Sequence, residues 1–221
     1  MPAGTITALR AQTNDPQRVN LFINGEFALG VSLNTISKEG LYVGKALNDE
    51  EYARIARAEG VDKALQAALR FLEARPRSAA EIRERLRRKE FDPTAITAAL
   101  DRLGELGLVD DAAFARFWVE NRQICQPRGA GALRDELRRK GIDRVVADSV
   151  LNDDRLVGDE AEQAWTLARA ALRKYAGVAD RATFMRRMGG YLQRRGFSFD
   201  TIRPIMDQLW CEIQGQATED D

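Results

Sequence analysis

The spacing of apolar residues changes period once along the chain. In residues 5–11 and 18–32 apolar and β-branched residues alternate with polar ones, the two-residue period of a half-buried strand. Asn24-Gly25 interrupts the second run. A type I′ turn needs positive φ at both central positions, so this pair predicts a hairpin. Three strands are therefore expected, then a short helix over 33–38 ended by Glu39-Gly40, and an extended piece from Leu41 to Gly44. At Asn48 the period lengthens. Asn48 precedes Asp49, Glu50 and Glu51, an N-cap with a carboxylate three residues on and negative charge in the first turn. From there to Gln214 apolar residues recur at three and four, as in Ala64, Ala68 and Phe71, and this part reads as almost purely helical.

The helical part repeats itself. Pro76 and Pro127 are 51 residues apart, and the same offset carries Arg75-Pro76-Arg77-Ser78 onto Gln126-Pro127-Arg128-Gly129 and Leu86-Arg87-Arg88-Lys89 onto Leu137-Arg138-Arg139-Lys140. An offset of 55 then takes Leu137 to Leu192, Gly141 to Gly196 and Ile142 to Phe197. The apolar skeleton keeps these registers: Ile82, Leu133 and Met188; Leu86, Leu137 and Leu192; Ile96, Ala147 and Ile202; Leu100, Leu151 and Met206. Each copy reads as three helices, the first closed before Pro76 or Pro127, the second near 78–89 and the third near 92–104 in the first copy's numbers. Gly141 and Gly196 supply left-handed C-caps, and Glu90 occupies that place in the first copy. The third copy lacks the Pro-Arg pair, and Gly189-Gly190 is expected to bend or fray its second helix, at about 1 kcal/mol per glycine relative to alanine. The predicted fold is mainly α: three tandem three-helix repeats in an elongated curved array, behind a small N-terminal segment containing a β-hairpin. Its boundaries fall at 1–47 for the β-rich segment, 48–107 for the first repeat with its leading helix, 108–156, 157–214, and 215–221 for an acidic tail.

Composition removes most catalytic chemistry. The 221 residues include no histidine, so histidine-based triads, general bases and zinc sites are excluded. Cys125 and Cys211 stand far apart with no CxxC, and are expected as buried thiols in a reducing compartment. No phosphate-cradling glycine loop, dinucleotide fingerprint or nucleophile elbow is present. Asp110-Asp111 and Asp153-Asp154 sit where helices start, so capping accounts for them and no metal or cofactor is expected. Trp118, Trp165 and Trp210 fall at helical spacing and read as core. With no apolar leader or long apolar run, a cytoplasmic protein away from membranes is expected.

Lys plus Arg and Asp plus Glu both total 34, so the chain is formally neutral. The second helices are not: residues 77–89, 128–140 and 183–195 carry net +4, +3 and +4. With Ile82 and Leu86 on the buried stripe, Arg83 and Arg87 share one flank and Arg88 points outward, and Arg134, Arg138 and Arg139 repeat this geometry. The candidate contact residues are Arg77, Arg83, Arg87, Arg88, Arg128, Arg134, Arg138 and Arg139, joined by Arg194 and Arg195 from the third copy. Guanidinium forks suit carboxylate and phosphate. Lys89, Lys140 and Arg195 also complement the negative end of a helix dipole.

Ala-Leu-Arg-Phe-Leu from Ala68, Arg-Pro-Arg-Ser from Arg75, Leu-Arg-Arg-Lys from Leu86, Gly-Leu-Val-Asp-Asp from Gly107, Pro-Arg-Gly from Pro127 and Leu-Arg-Arg-Lys-Gly-Ile from Leu137 follow in order. In this order and spacing the chain resembles the RecX family of recombination regulators over residues 60–210, and Ile-Asn-Gly-Glu-Phe-Ala from Ile23 is similar to the N-terminal segment of longer members. The resemblance implies a non-catalytic protein, expected as a monomer. Family members bind the RecA recombinase, lie in the groove of its filament on single-stranded DNA, and damp ATP hydrolysis, strand exchange and co-protease action; some also bind single- or double-stranded DNA directly. The rival reading is an autonomous DNA-binding helical-repeat protein, which would show steep salt dependence.

Overall fold

Strand and helix appear where the period changes. The computed structural model describes residues 3–219 other than 14, 176 and 179, with backbone alone for 154 and 215–219. The chain divides into two units, Met1–Val109 and Asp110–Asp221.

In the first unit β1 (Gly4–Gln12), β2 (Asp15–Ile23) and β3 (Glu26–Ser32) form an antiparallel sheet. Asn24 and Gly25 both take positive φ, 51° and 87°, as the hairpin turn requires. Helix α1 (Leu33–Glu39) starts on the Ser32 side chain and stops at Gly40 in the left-handed conformation. The stretch from Leu41 is not extended as expected. Lys45 N–H donates to the Tyr42 carbonyl across a turn, Gly44 N–H and the Lys45 carbonyl bond to Ile6, and β4 (Ala46–Leu47) pairs with β1, giving the order β3-β2-β1-β4.

Helix α2 (Asp49–Leu72) begins in a full capping box between Asn48 and Glu51. Two cores share it. Ile55 packs under the sheet with Ile6, Leu21 and Val31, whereas Ala64 and Ala68 pack with Ile82, Leu86, Ala99 and Leu103 of α3 (Ala79–Arg87) and α4 (Pro93–Glu105). Buried Glu59 fixes the sheet to α2 by accepting from Arg18 Nη2 at 2.5 Å and Ser32 N–H at 2.9 Å. One turn on, Asp62 accepts from the Ser32 hydroxyl at 2.5 Å and the Thr35 hydroxyl at 3.2 Å.

The second unit holds α5 (Asp111–Cys125), α6 (Ala130–Arg139), α7 (Arg144–Leu151), the single turn α8 (Asp154–Val157), α9 (Glu160–Ala171) with a 3₁₀ turn behind it, α10 (Arg181–Arg194) and α11 (Phe199–Glu219). One core gathers Phe114, Val119, Leu133, Leu137 and Val150, and the next gathers Ala164, Ala168, Phe184, Met188, Leu192 and Ile202. All twelve skeleton residues of the repeat registers are buried. The chain meets itself between the two cores, where Gly129 N–H donates to the Arg195 carbonyl at 3.0 Å. Asp220 and Asp221 of the expected acidic tail lie outside the described residues.

Each second helix ends alike. Glu90, Gly141 and Gly196 have φ of 59°, 75° and 87°, and the next N–H, of Phe91, Ile142 or Phe197, donates back to Leu86, Leu137 or Leu192. Glu90 alone carries a Cβ in that conformation. Glu90→Gly is expected to stabilise the first unit by about 0.5–1 kcal/mol in urea unfolding followed by circular dichroism, left-handed strain being relieved more than unfolded-chain entropy rises.

Two further expectations are corrected. Both cysteines are exposed: Cys125 is the last residue of α5, and Cys211 sits two positions past buried Leu209, on the solvent side of α11. Helix α10 also runs unbroken through Gly189-Gly190. Gly189 is buried, and a Cβ there would stand 3.0 Å from Met206 Sδ, so its missing side chain lets α10 lie close to α11. The three tryptophans are half-buried and pack against the two cores of the second unit.

Candidate partner-binding surface

Whether the candidate arginines face water follows from the packing of each second helix. In α3, capped by Ser78, Ile82 and Leu86 point inward and Arg83, Arg87 and Arg88 are exposed. Arg87 Nη2 and Arg88 Nε each lie 2.9 Å from Glu84, one carboxylate serving two guanidiniums, and the Arg88 hydrogen bond holds the Glu84 carboxyl below its usual pKa. The Arg83 side chain has no ion-pair partner among the described residues. Arg77 stands apart. Its guanidinium lies 4.0 Å above the Phe71 ring, burial pushes its pKa down, and its buried Nε has no hydrogen-bond partner. This arginine is a packing group between α2 and α3.

In α6, Leu133 and Leu137 point inward, and the exposed arginines are again partly spent on acids. Arg134 Nε is 2.7 Å from Asp148 Oδ1, Arg138 Nη2 is 3.1 Å from Asp135, and Arg139 donates to the Asp135 carbonyl. Arg134 and Arg144 together keep the Asp148 carboxyl below its usual range. Arg128 turns inward. Its Nε stands 3.0 Å from buried Glu136 without the alignment of a hydrogen bond, while Trp118 Nε1 and Arg122 Nε both donate to Glu136 at 2.8 Å. Charge and pattern reading missed this group, although a glutamate between the inward positions Leu133 and Leu137 is the trace it leaves.

Helix α10 differs from both. Phe184, Met188 and Leu192 face the core, leaving Arg186, Arg187 and Arg194 exposed with no ion-pair partner among the described residues. Arg187 and Arg194 are seven residues apart, hence on one face, and a Cβ at Gly190 between them would meet Arg194 Nη1 at 3.3 Å. Arg195 leans over the Tyr191 ring at 5.3 Å. Among the three second helices, the free guanidiniums are therefore most numerous on α10. Arg186 and Arg187 were absent from the expected set; the signal for them was the lack of any Asp or Glu from 183 to 195.

Family profiles agree with this layout. The RecX N-terminal domain matches residues 4–48, and the first, second and third RecX three-helix domains match 64–103, 110–151 and 159–206. A regulatory protein RecX from Bacillus subtilis is 31% identical over 207 residues, which is 94% of this chain and 78% of the relative. The chain belongs to the RecX family. A Mycobacterium avium RecX is 40% identical over 152 residues, 69% of this chain and 83% of its own. A crystal structure of regulatory protein RecX superposes with a TM-score of 0.77 at 26% identity, over 93% of this chain and 99% of that one. RecX from Lactobacillus salivarius gives 0.60 at 27% identity, over 69% and 97%. These relatives are named as regulatory proteins, and among the described residues no helix is long and apolar enough to cross a membrane.

Proposed function

We propose that this RecX-family protein binds the RecA recombinase and its filament on single-stranded DNA and damps its ATPase, strand-exchange and co-protease activities. The observation that supports this is the outward arginine row on each second helix, above all the unpaired Arg186, Arg187 and Arg194. A filament repeats its protomers, so several modest contacts on one chain add in occupancy. Arg83, Arg87, Arg88, Arg134, Arg138 and Arg139 belong to the same proposal, Arg195 with them at the end of α10. Arg77 and Arg128 hold that surface from beneath, through Phe71 and Glu136. The protein acts here as a cytoplasmic monomer that performs no catalysis. Autonomous DNA binding is less favoured because the chain is formally neutral and its acidic residues partner four of the nine exposed arginines named above.

The ATPase rate of a bacterial RecA on single-stranded DNA, titrated with this protein beside its binding to the same DNA alone, tests the reading. Inhibition is expected well below the concentration that saturates bare DNA. Arg186→Glu with Arg187→Glu is expected to raise the half-inhibiting concentration about tenfold or more, and Arg87→Glu with Arg138→Glu to raise it less, because Arg87 already pairs with Glu84 and Arg138 with Asp135. An unchanged ATPase, with DNA binding that falls steeply with salt, would transfer the proposal to nucleic acid.

A further inference from the structure

The first unit also contains a cationic cleft, which Lys89, the residue after Arg88 of the α3 row, helps to line. A cleft of about 730 Å³ opens where β2, the start of α1, the middle of α2 and the α3–α4 turn converge. Lys63, Arg70 and Lys89 line it together with Leu33, Leu65 and Phe91. The side chains of Arg70 and Lys89 are exposed and have no ion-pair, hydrogen-bond or ring partner among the described residues. Lys63 Nζ stands 3.7 Å from Glu59, a carboxylate already held by Arg18 and Ser32. The acids at the cleft are satisfied from within the fold: Asp62 by Ser32, Asn34 and Thr35, and Asp15 by Gln17 N–H. Of its cations, Arg18 and Lys63 share Glu59, and Arg70 and Lys89 are left without a partner among the described residues.

We infer that this cleft binds an extended acidic peptide segment carrying a leucine-sized side chain, the side chain entering between Leu33, Leu65 and Phe91 and the carboxylates meeting Lys63, Arg70 and Lys89. The cleft sets four apolar residues, Leu33, Leu65, Ala67 and Phe91, within a lining that is otherwise polar or charged, so it suits a ligand that is itself mostly charged and carries one apolar group. A nucleic-acid strand fits less well. Its phosphates recur at every nucleotide and would face Asp15 and Asp62, and Phe91, half-buried, offers no open ring for a base. A peptide can space its carboxylates to miss those two acids. The site stands independently of whether RecA is the partner of the arginine rows.

Fluorescence anisotropy of the full chain with three labelled probes tests this: a short peptide of alternating aspartate and leucine, a glutamate-only peptide of equal length, and a ten-nucleotide oligothymidine. The aspartate–leucine peptide is expected to bind at least about fivefold more tightly than the glutamate peptide. Arg70→Ala with Lys89→Ala is expected to weaken it about tenfold while leaving the circular dichroism unchanged, since both side chains are exposed and the helix-dipole attraction they lose is small. Equal binding of the two peptides, binding that ignores the double variant, or no saturable peptide binding would overturn the inference. Tighter oligothymidine binding that is lost in the same variant would overturn it in favour of nucleic acid.

Discussion

Gly129→Ser is expected to destabilise the second unit by about 2–4 kcal/mol in urea unfolding, even though serine is the better helix cap. In the first repeat the matching residue, Ser78, caps α3 by accepting the Glu81 N–H at 3.1 Å, a bond usually worth about 1 kcal/mol. Gly129 caps α6 with no side-chain bond. Any Cβ there would overlap the Gly196 carbonyl and the Phe197 nitrogen, so the cap would have to push apart two backbones joined by the Gly129–Arg195 hydrogen bond. Gly196 is constrained from the other side: it holds φ at 87°, and a Cβ there would overlap Ala132. Gly196→Ala should therefore cost at least as much, combining left-handed strain with steric overlap. Gly131→Ala, whose Cβ would stand 3.1 Å from the same carbonyl, should cost clearly less. All three tryptophans lie in this unit, so their fluorescence reads its unfolding separately from that of the first. Equal stability of Gly129→Ser and the parent would mean that the approach of α6 to the α10–α11 turn is not a constraint. The seam also bears on function, since it holds the arginines of α6 and α10 in one unit.

Local rules carried most of the architecture. The Asn24-Gly25 hairpin, the Asn48 capping box and the three-fold register were readable because each depends on residues close in sequence: two φ angles, one reciprocal pair of hydrogen bonds, one repeated spacing. The misreadings arose where a distant neighbour decides. Gly189-Gly190 is unfavourable to an isolated helix, yet Met206 of α11 fills the space that a side chain would take. The extended reading of Leu41–Gly44 followed its apolar residues and missed that Gly44, with a φ of 99°, sits inside the Tyr42–Lys45 turn. For the surface, summing charge by helix located the basic faces but could not tell a free arginine from one already engaged. Arg77 and Arg128 occupy matching places before α3 and α6, and both turn inward, onto Phe71 and Glu136. Only the absence of acids in α10 could have marked its arginines as free.

Glu136 shows how far the basic surface depends on a single buried acid. The residue is 8% exposed and its carboxylate is surrounded by Trp118, Arg122 and Arg128, with Arg122 and Lys140 lying against the Trp118 ring at 4.7 and 4.6 Å. Burial by itself would raise the Glu136 pKa, but the hydrogen bonds from Arg122 and Trp118 and the charge of Arg128 outweigh it and hold the carboxyl below the ordinary glutamate value of 4.5. Glu136→Gln leaves two arginines without a counter-charge. Removing one partner of a buried pair costs about 3–5 kcal/mol, and since both arginines keep a route to water the expected loss is about 2–4 kcal/mol. Because the folded pKa is depressed, this stabilisation is complete above about pH 4.5 and is lost as pH falls through the folded value. Tryptophan-monitored urea midpoints taken from pH 7 down to about pH 3 should thus show a wide gap between parent and variant at neutral pH, closing in acid. The capping aspartates Asp110 and Asp180, also held below their usual pKa by backbone hydrogen bonds, lose stabilisation in both proteins and cancel in the difference. A gap that stays constant with pH would show that the carboxylate contributes by shape, and that its charge does not hold Arg122 and Arg128 in place.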